Sequence, residues 1–268
     1  SFQVFLAFLM LSKFKYRLFL AIFLLFIFSA VRFDVGYDFL SYYDAIVNYG
    51  GDAETFRRFG YLHGLLIKLS NITGFYQLYF IGTSFVFYSF LYFVLRDDSK
   101  RPLVSLMVYM AIPFFFLMSF NFIRQFSALV ILYYSFRYIY RRDFLRYAFF
   151  VFLACSIHYT ALITLPLYFL WGRRLHWSVY LALLVSSIFL FPVAKYFVSV
   201  LLPGYLHYLM SPNQGGVVFQ IFILFVSLVL ISLKEYIGNV KKRFFFDVFV
   251  LGVVLYNIFQ PIGFAGTR

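Results

Sequence analysis

Residues 75–95, FYQLYFIGTSFVFYSFLYFVL, form a run of 21 residues that contains no Asp, Glu, Lys or Arg. A helix of about 20 mostly apolar residues is long enough to cross the hydrocarbon core of a bilayer. Because comparable runs fill most of the remaining chain, we predict an all-α, polytopic transmembrane helical bundle of about 8–10 membrane segments. The other predicted segments are 2–11, 18–31, 102–120, 122–140, 147–171, 177–200, 217–233 and 244–262.

The composition agrees with a membrane protein. Of 268 residues, 64% are hydrophobic and 12% charged, whereas soluble domains carry roughly 45–50% apolar and about 25% charged residues. The formal charge of +13 comes from short basic clusters between apolar runs, which is typical of cytoplasmic loops facing anionic headgroups and argues against nucleic-acid binding. The single Cys155 excludes a disulfide framework and a cysteine metal site, and no metal or cofactor is predicted.

Two polar stretches interrupt the apolar runs. Residues 33–74 contain five acidic side chains and are predicted to form a folded external segment, with an amphipathic helix over 53–69 on the membrane surface. Residues 202–216, which are rich in Pro and Gly, are predicted to form an external loop. We therefore interpret 1–268 as a single integral membrane domain. Because it starts without Met and stops abruptly, we expect truncation at one or both ends.

Orientation follows from the concentration of Lys and Arg in cytoplasmic loops. If 147–171 crosses the membrane once, 11 of the 23 Lys and Arg lie inside, which is no bias. If this segment turns near Ser156–Thr160 and returns to the cytoplasm, 16 lie inside. We therefore favour a re-entrant segment, whose non-helical backbone would line a polar chamber. The alternative is an ordinary long helix whose neighbours happen to be basic.

Four ionisable side chains lie within or at the edges of predicted membrane segments, namely Arg32, Arg124, His158 and Arg268. A charge at such a place costs several kcal/mol unless it is paired or hydrated, and it often marks a functional site. Each also has a structural interpretation. An arginine at a helix end can extend to the interface as an anchor, and a lone histidine at membrane depth can be a hydrogen-bonded structural residue.

Neighbouring polar residues favour a functional role for Arg124. The spacing of Asn121 and Gln125 predicts that both lie on one helical face, with Arg124 beside them. Two carboxylates, Asp34 and Asp38, follow the second predicted membrane segment. They either pair with the neighbouring arginine or cap the next helix, or they act as acid/base groups.

This set of residue types indicates a particular chemistry. Guanidinium groups bind phosphate or pyrophosphate in a bidentate manner, and a carboxylate or imidazole can remove a proton from an attacking sugar hydroxyl. The chain has no P-loop, no dinucleotide-binding glycine pattern and no nucleophile elbow. The combination fits transfer from a lipid diphosphate at the outer leaflet, because diphosphate is already a good leaving group and no nucleotide is needed.

Three stretches carry a resemblance to a known family. Residues 32–43, RFDVGYDFLSYY, resemble the Arg-x-x-x-Gly-x-Asp-x-x-x-Tyr signature of the EpsG-like, Wzy-type polysaccharide polymerases. Residues 121–128, NFIRQFSA, resemble the second motif of this family. Residues 154–162, ACSIHYTAL, resemble the third, in which a His precedes a small hydroxyl residue and Ala-Leu. The resemblance covers roughly residues 20–268.

The resemblance implies a GT-C-like glycosyltransferase in the bacterial cytoplasmic (inner) membrane, which polymerises repeat units of an O-antigen, capsule or exopolysaccharide. Its partners would be the undecaprenyl-diphosphate-linked glycan donor and acceptor, membrane lipid and a chain-length regulator, with no cofactor. The implied site contains binding and acid/base groups. We assign Arg124 and Arg268 to the diphosphate with Asn121 and Gln125 beside it, Arg32 to the diphosphate or to orienting Asp34, and the base to Asp38 first and His158 second.

Two other functions use similar residues. A non-enzymatic transporter or flippase of a lipid-linked or anionic glycan would need the same outward arginines without acid/base chemistry. A ligase would move the finished glycan to another lipid and would differ mainly in its acceptor. Transport folds tend to contain two similar halves, and the sequence has no such internal repeat, which favours the enzyme.

Overall fold

The computed structural model describes residues 16–36, 38–201, 217–234 and 237–259, and the regular structure within these ranges is helical. The predicted segment 2–11, the predicted loop 202–216 and Arg268 lie outside the described residues. In chain order the elements are α1 (Arg17–Ala30), α2 (Phe39–Asp44), a π-helical turn (Ala45–Tyr49), α3 (Ala53–Phe59), α4 (Tyr61–Thr73), α5 (Gln77–Asp98), α6 (Pro102–Ala111), α7 (Pro113–Phe116), α8 (Met118–Asn121), α9 (Ile123–Tyr140), α10 (Phe144–Ile157), a 3-10 helix (Tyr159–Leu170), α11 (Trp177–Phe189), α12 (Phe191–Leu201), α13 (Val217–Ser232) and α14 (Val240–Phe259).

The chain divides into two compact units, Ser1–Tyr168 and Phe169–Arg268. In the first unit, α5 packs against both α1 and α9. The Arg137 side chain on α9 donates from its two terminal nitrogens to Asp97 and Asp98 on α5, each at 2.8 Å. All three residues lie near the C-termini of their helices. The two ion pairs therefore hold the C-terminal ends of two parallel helices together.

The second unit has its own core, in which α11 and α14 pack together. Polar side chains within this core satisfy one another. The Tyr180 hydroxyl donates to Asp247 at 2.5 Å, and Asn257 bonds to Ser187 at 3.1 Å and to Gln220 at 3.2 Å. The surrounding apolar residues are Tyr180, Leu184, Ile231, Phe246, Val250, Val253 and Val254.

The distribution of side chains is typical of a protein whose surface contacts lipid and not water. Large apolar side chains that are at least 60% exposed occur along most of the long helices, for example Phe85, Leu129, Phe149, Ile221 and Phe225. Small hydroxyl residues are buried between helices instead, as interhelical contacts in membranes require. They include Ser29, Ser84, Ser127, Ser135, Ser187 and Ser227.

By length and composition, one helix within the described ranges, Gln77–Asp98, can cross a membrane by itself. The pair Pro102–Ala111 and Phe114–Asn121 meets the same criterion together, with a bend of 86°. Five other apolar helices of 10–17 residues fall short of it. The fold is therefore all-α, and the number of membrane crossings stays a prediction.

Three helices predicted as continuous are broken in the structure. The segment predicted over 102–120 breaks at Ile112 before Pro113, and the segment over 177–200 breaks at Leu190 before Pro192. Proline lacks an amide hydrogen and disfavours helical geometry in the preceding residue. The predicted amphipathic helix over 53–69 is two helices, because Gly60 has φ +87 and ends the first.

The predicted turn near Ser156–Thr160 is present. Helix α10 ends at Ile157, His158 has extended φ −146 and ψ 113, and the 3-10 helix follows. The Tyr147 hydroxyl donates to the Thr164 carbonyl at 2.5 Å, and the Tyr147 and Tyr168 ring centroids lie 5.9 Å apart. A straight helix would separate residues 147 and 168 by about 30 Å, so the chain reverses at His158.

The segment between α1 and α5 is folded, as predicted. Its helices α2 and α4 pack on α5 and on the first residue of α9. The shared core contains Phe39, Tyr42, Ala45, Ile46, Phe59, Ile67, Tyr79, Phe80 and Ile123. Gly60 joins this segment to the chain reversal, because a Cβ at this position would lie 2.8 Å from the Ser156 carbonyl oxygen.

We expect Gly60→Ala to destabilise the protein by about 1–3 kcal/mol, because alanine is strained at this positive φ and its methyl group meets a backbone carbonyl. The measurement is thermal or denaturant unfolding of the purified full chain in detergent. Gly252→Ala is the matched control, since a Cβ at Gly252 meets no atom within 4 Å. Equal stability of the two variants would contradict the close packing at Gly60.

Candidate active site

Arg124 lies in the first turn of α9, where the chain re-enters a helix after a break at Phe122. Its Nη1 donates to the Arg58 carbonyl at 2.9 Å, and its guanidinium carbon lies 5.2 Å from the centroid of the Phe59 ring. The positive charge of Arg124 also acts on the buried hydroxyl of Tyr42. The residues that close the space around Arg124 therefore come from the segment between α1 and α5.

A glycine brings the first two motifs together. Gly36 has φ +96, and a Cβ there would lie 2.7 Å from the Phe120 carbonyl oxygen and 2.8 Å from Asn121 Oδ1. Only glycine allows this approach and this conformation without strain. The contact joins the stretch 32–43 to the stretch 121–128, and it explains in physical terms why a glycine is needed at this place.

Asp38 lies in the electrostatic field of Arg124 at the start of α2. It is half-buried, and its carboxylate does not cap the helix that follows. Burial raises the pKa of Asp38 above its usual value, and the positive charge of Arg124 partly offsets this rise. A carboxylate with a raised pKa is a better proton acceptor than an ordinary surface aspartate, which suits it to the acid/base role considered above.

His158 is the extended residue at the chain reversal, and it too lies in the field of Arg124. The neighbouring Tyr159 hydroxyl donates to the Phe56 carbonyl at 3.2 Å. The reversal is thereby bound to the same α3 helix whose end supplies Arg58 and Phe59. Arg124 of the second motif and Tyr159 of the third are therefore both bound to α3, and the charge of Arg124 acts on Asp38 and His158.

Arg32 is buried, with 6% of its surface exposed. Gln77 holds its backbone by donating to the Arg32 carbonyl at 3.0 Å, and its guanidinium carbon lies 4.9 Å from the Phe80 centroid and 5.4 Å from the Phe120 centroid. Its Nε has no hydrogen-bond partner among the described residues. A buried arginine without a carboxylate partner is the arrangement expected of a group that receives an anion.

A small cleft of about 10 Å³, which is room for about one water molecule, adjoins Arg32. It has a second buried polar atom without a partner in the described part of the chain, the hydroxyl of Ser127. Hydroxyl groups dominate its polar lining and can donate to an oxyanion or accept from a sugar. The lining residues are Ser29, Arg32, Thr83, Ser84, Phe87, Ser119, Ile123, Phe126 and Ser127.

The structure brings some of the predicted site residues together and separates others. Asp34 is exposed with φ 49, and within the described ranges no ion pair joins it to the adjacent arginine. Gln125 is exposed, whereas Asn121 points toward Gly36. The prediction that Asn121 and Gln125 share one helical face is wrong, because the chain leaves the helix at Phe122 between them.

Two residues of the site, His63 and Tyr79, were missed by the sequence analysis. His63 Nδ1 lies 2.7 Å from the Tyr79 hydroxyl oxygen, and the Tyr79 ring stacks on that of Tyr42 with centroids 5.1 Å apart. The buried face of α4 contains His63, Ile67 and Ser70, a helical spacing that the sequence does contain. Because this face contains both polar and apolar residues, the hydropathy pattern does not reveal the spacing. The break at Gly60 also changes which residues face inward.

Within the ranges that the structure describes, no three His, Cys, Asp or Glu side chains are grouped so as to hold a metal ion. The family model described as the EpsG family matches residues 15–268. No curated protein and no solved structure matches the chain.

Proposed function

Since the chain belongs to the EpsG family, a family of Wzy-like polysaccharide-polymerase type, we propose that it is a glycosyltransferase that polymerises lipid-linked oligosaccharide repeat units. The donor is a glycan on undecaprenyl diphosphate, and the acceptor is a terminal sugar hydroxyl of the next lipid-linked unit. The observation that supports the proposal is that the charge of Arg124 acts on both the Asp38 carboxyl and the His158 imidazole, which come from two other stretches of the chain.

The donor diphosphate binds Arg124. Two of its oxygens accept from the planar guanidinium, which neutralises the negative charge that grows as the bond from sugar C1 to the phosphate oxygen breaks. Arg32 and the hydroxyl groups of its cleft receive a further anionic or hydroxyl group of the substrate. The family resemblance assigns Gln125 to the diphosphate as well, together with Arg268, which lies outside the described residues.

Asp38 accepts the proton of the attacking hydroxyl. The acceptor oxygen forms the new bond to C1, its proton passes to the Asp38 carboxylate, and the undecaprenyl diphosphate leaves with the electron pair of the broken bond. His158 hydrogen-bonds a sugar hydroxyl and is the second candidate for the base. Asp34 is exposed, whereas Asp38 is half-buried and lies in the field of Arg124, and the proposal therefore gives the base to Asp38.

The reaction takes place at the outer face of the bacterial cytoplasmic membrane. The chain crosses this membrane several times, with 33–74 outside and the reversal at His158 entering from the cytoplasm, so that His158 faces a hydrated chamber. Support comes from the apolar exposed surface and from the placement of Arg137 with Asp97 and Asp98, which gives α5 and α9 the same direction. Membrane lipid and a chain-length regulator are the further partners.

Deletion of the gene in its host tests the function. We expect loss of the ladder of polymerised surface glycan on a gel, with the single-unit glycan retained, because units still reach the acceptor lipid. Complementation with the intact gene restores the ladder. Loss of all surface glycan, including the single unit, would instead indicate a flippase or a ligase.

We expect Arg124→Lys to reduce polymer formation nearly as much as Arg124→Ala, by roughly 10- to 100-fold. Lysine keeps the charge but lacks the planar fork that can bind the Arg58 carbonyl and two phosphate oxygens together. The measurement is ladder intensity at matched protein level in the complemented deletion strain. Arg101→Lys on the predicted cytoplasmic side is the control, and normal polymer from Arg124→Lys would contradict the bidentate role.

We expect polymerisation to fall at acidic pH with a midpoint above 3.8, the usual pKa of an aspartate, because burial raises the pKa of Asp38 and the base must be deprotonated. Activity is therefore present above the raised pKa and lost as the pH falls through it. The assay uses the full chain in proteoliposomes with lipid-linked units from the deletion strain. Asp38→Asn should lower the rate by about 100-fold or more, and an unchanged rate would exclude Asp38 as the base.

A further inference from the structure

The ring of Phe59, the last residue of α3, contacts two guanidinium groups. The guanidinium carbon of Arg124 lies 5.2 Å from the ring centroid, and the guanidinium carbon of Arg58 lies at the same distance, 5.2 Å. The two cationic groups are therefore separated by no more than twice this distance. Phe59 is buried and Arg58 is exposed, so one of the two cations lies at the surface.

The end of α3 fixes this arrangement. The last carbonyl groups of a helix have no donor within it, and here the Arg58 carbonyl accepts from Nη1 of Arg124 at 2.9 Å. Gly60, with φ +87, ends the helix directly after Phe59. Because the main chain of Arg58 contacts the Arg124 guanidinium, the Arg58 side chain begins beside that group and can reach a ligand bound to it.

Arg58 has no carboxylate partner in the described part of the chain, although other arginines do. Arg96 and Arg137 both bind Asp97, whereas no ion pair within the described ranges includes Arg58. An aromatic face stabilises a cation but does not neutralise it. Two like charges this close also repel each other, because salt screens them effectively only beyond a Debye length of about 10 Å at ~0.1 M. An anion that contacts both groups removes this repulsion.

We propose that Arg58 is a binding residue for the diphosphate, which it contacts from the exposed side of the Arg124 site. The proposal rests on the proposed function, because it assumes that Arg124 binds the same group. A diphosphate carries oxygens on two phosphoryl groups, so the planar forks of two arginines can each bind a different pair of them. Arg58 lies outside the three motif stretches, and its place in the site follows from the end of α3 alone.

The test is calorimetric titration of the purified full chain with inorganic pyrophosphate. The nanodiscs that hold the chain are made of phosphatidylcholine, whose headgroup has no net charge and does not compete for the site. We expect Arg58→Gln to weaken binding about tenfold, since it removes charged hydrogen bonds to the ligand. Arg58→Lys should weaken binding about three- to fivefold, because it keeps the charge and loses the fork.

Lys68→Gln is the matched control, since it removes another exposed positive charge of the same segment, about two turns along α4 from Gly60. It should leave pyrophosphate affinity within about twofold of the unaltered chain. Because Arg58 is exposed, Arg58→Gln should also leave the unfolding midpoint without pyrophosphate unchanged.

Two results would show that the inference is wrong while the role of Arg124 stands. In one, Arg58→Gln binds pyrophosphate as the unaltered chain does, so that Arg58 only packs on Phe59. In the other, Lys68→Gln weakens binding as much as Arg58→Gln does, so that only the net charge of the segment matters. Failure of the unaltered chain to bind, or full binding by Arg124→Ala, would overturn the proposed role of Arg124 itself, and the inference with it.

Discussion

The guanidinium of Arg124 is the charge on which the arrangement of the site depends. A charge at the edge of a membrane segment is tolerated only where polar groups surround it, and here those groups come from distant parts of the chain. The Arg58 carbonyl and the Phe59 ring contact it directly. The segment between α1 and α5 must therefore fold over the start of α9, and this requirement explains why so polar a stretch has a well-packed core.

Two glycines make that arrangement possible. Gly36 lets the chain after α1 approach the Phe120 carbonyl, and Gly60 lets the joint between α3 and α4 approach the Ser156 carbonyl. Both have positive φ, so a side chain would meet both a steric and a conformational penalty. These backbone contacts bring the carboxyl group of Asp38 and the imidazole of His158 into the electrostatic field of one guanidinium.

The sequence predicts those parts of the fold that a single physical effect determines. The apolar runs predict the long helices α5, α9, α13 and α14, and the Lys and Arg distribution predicts the reversal at His158, which no local signal shows. The breaks at Ile112 and Leu190 were missed because hydropathy outweighed the proline in each run. The pairing of His63 with Tyr79 could not be predicted, since it depends on the packing of α4 on α5.

Arg32 and Arg124 are not alternatives for one role, because their surroundings differ. Both charges act on Tyr42 and Tyr79, whose rings are stacked with centroids 5.1 Å apart. The Arg124 guanidinium donates to the Arg58 carbonyl, whereas the Arg32 guanidinium lies against the rings of Phe80 and Phe120. Aromatic faces stabilise a cation but do not neutralise it. An anionic group that enters the site therefore gains more at Arg32 from the charge and more at Arg124 from orientation, and a diphosphate, which carries two phosphoryl groups, can use both.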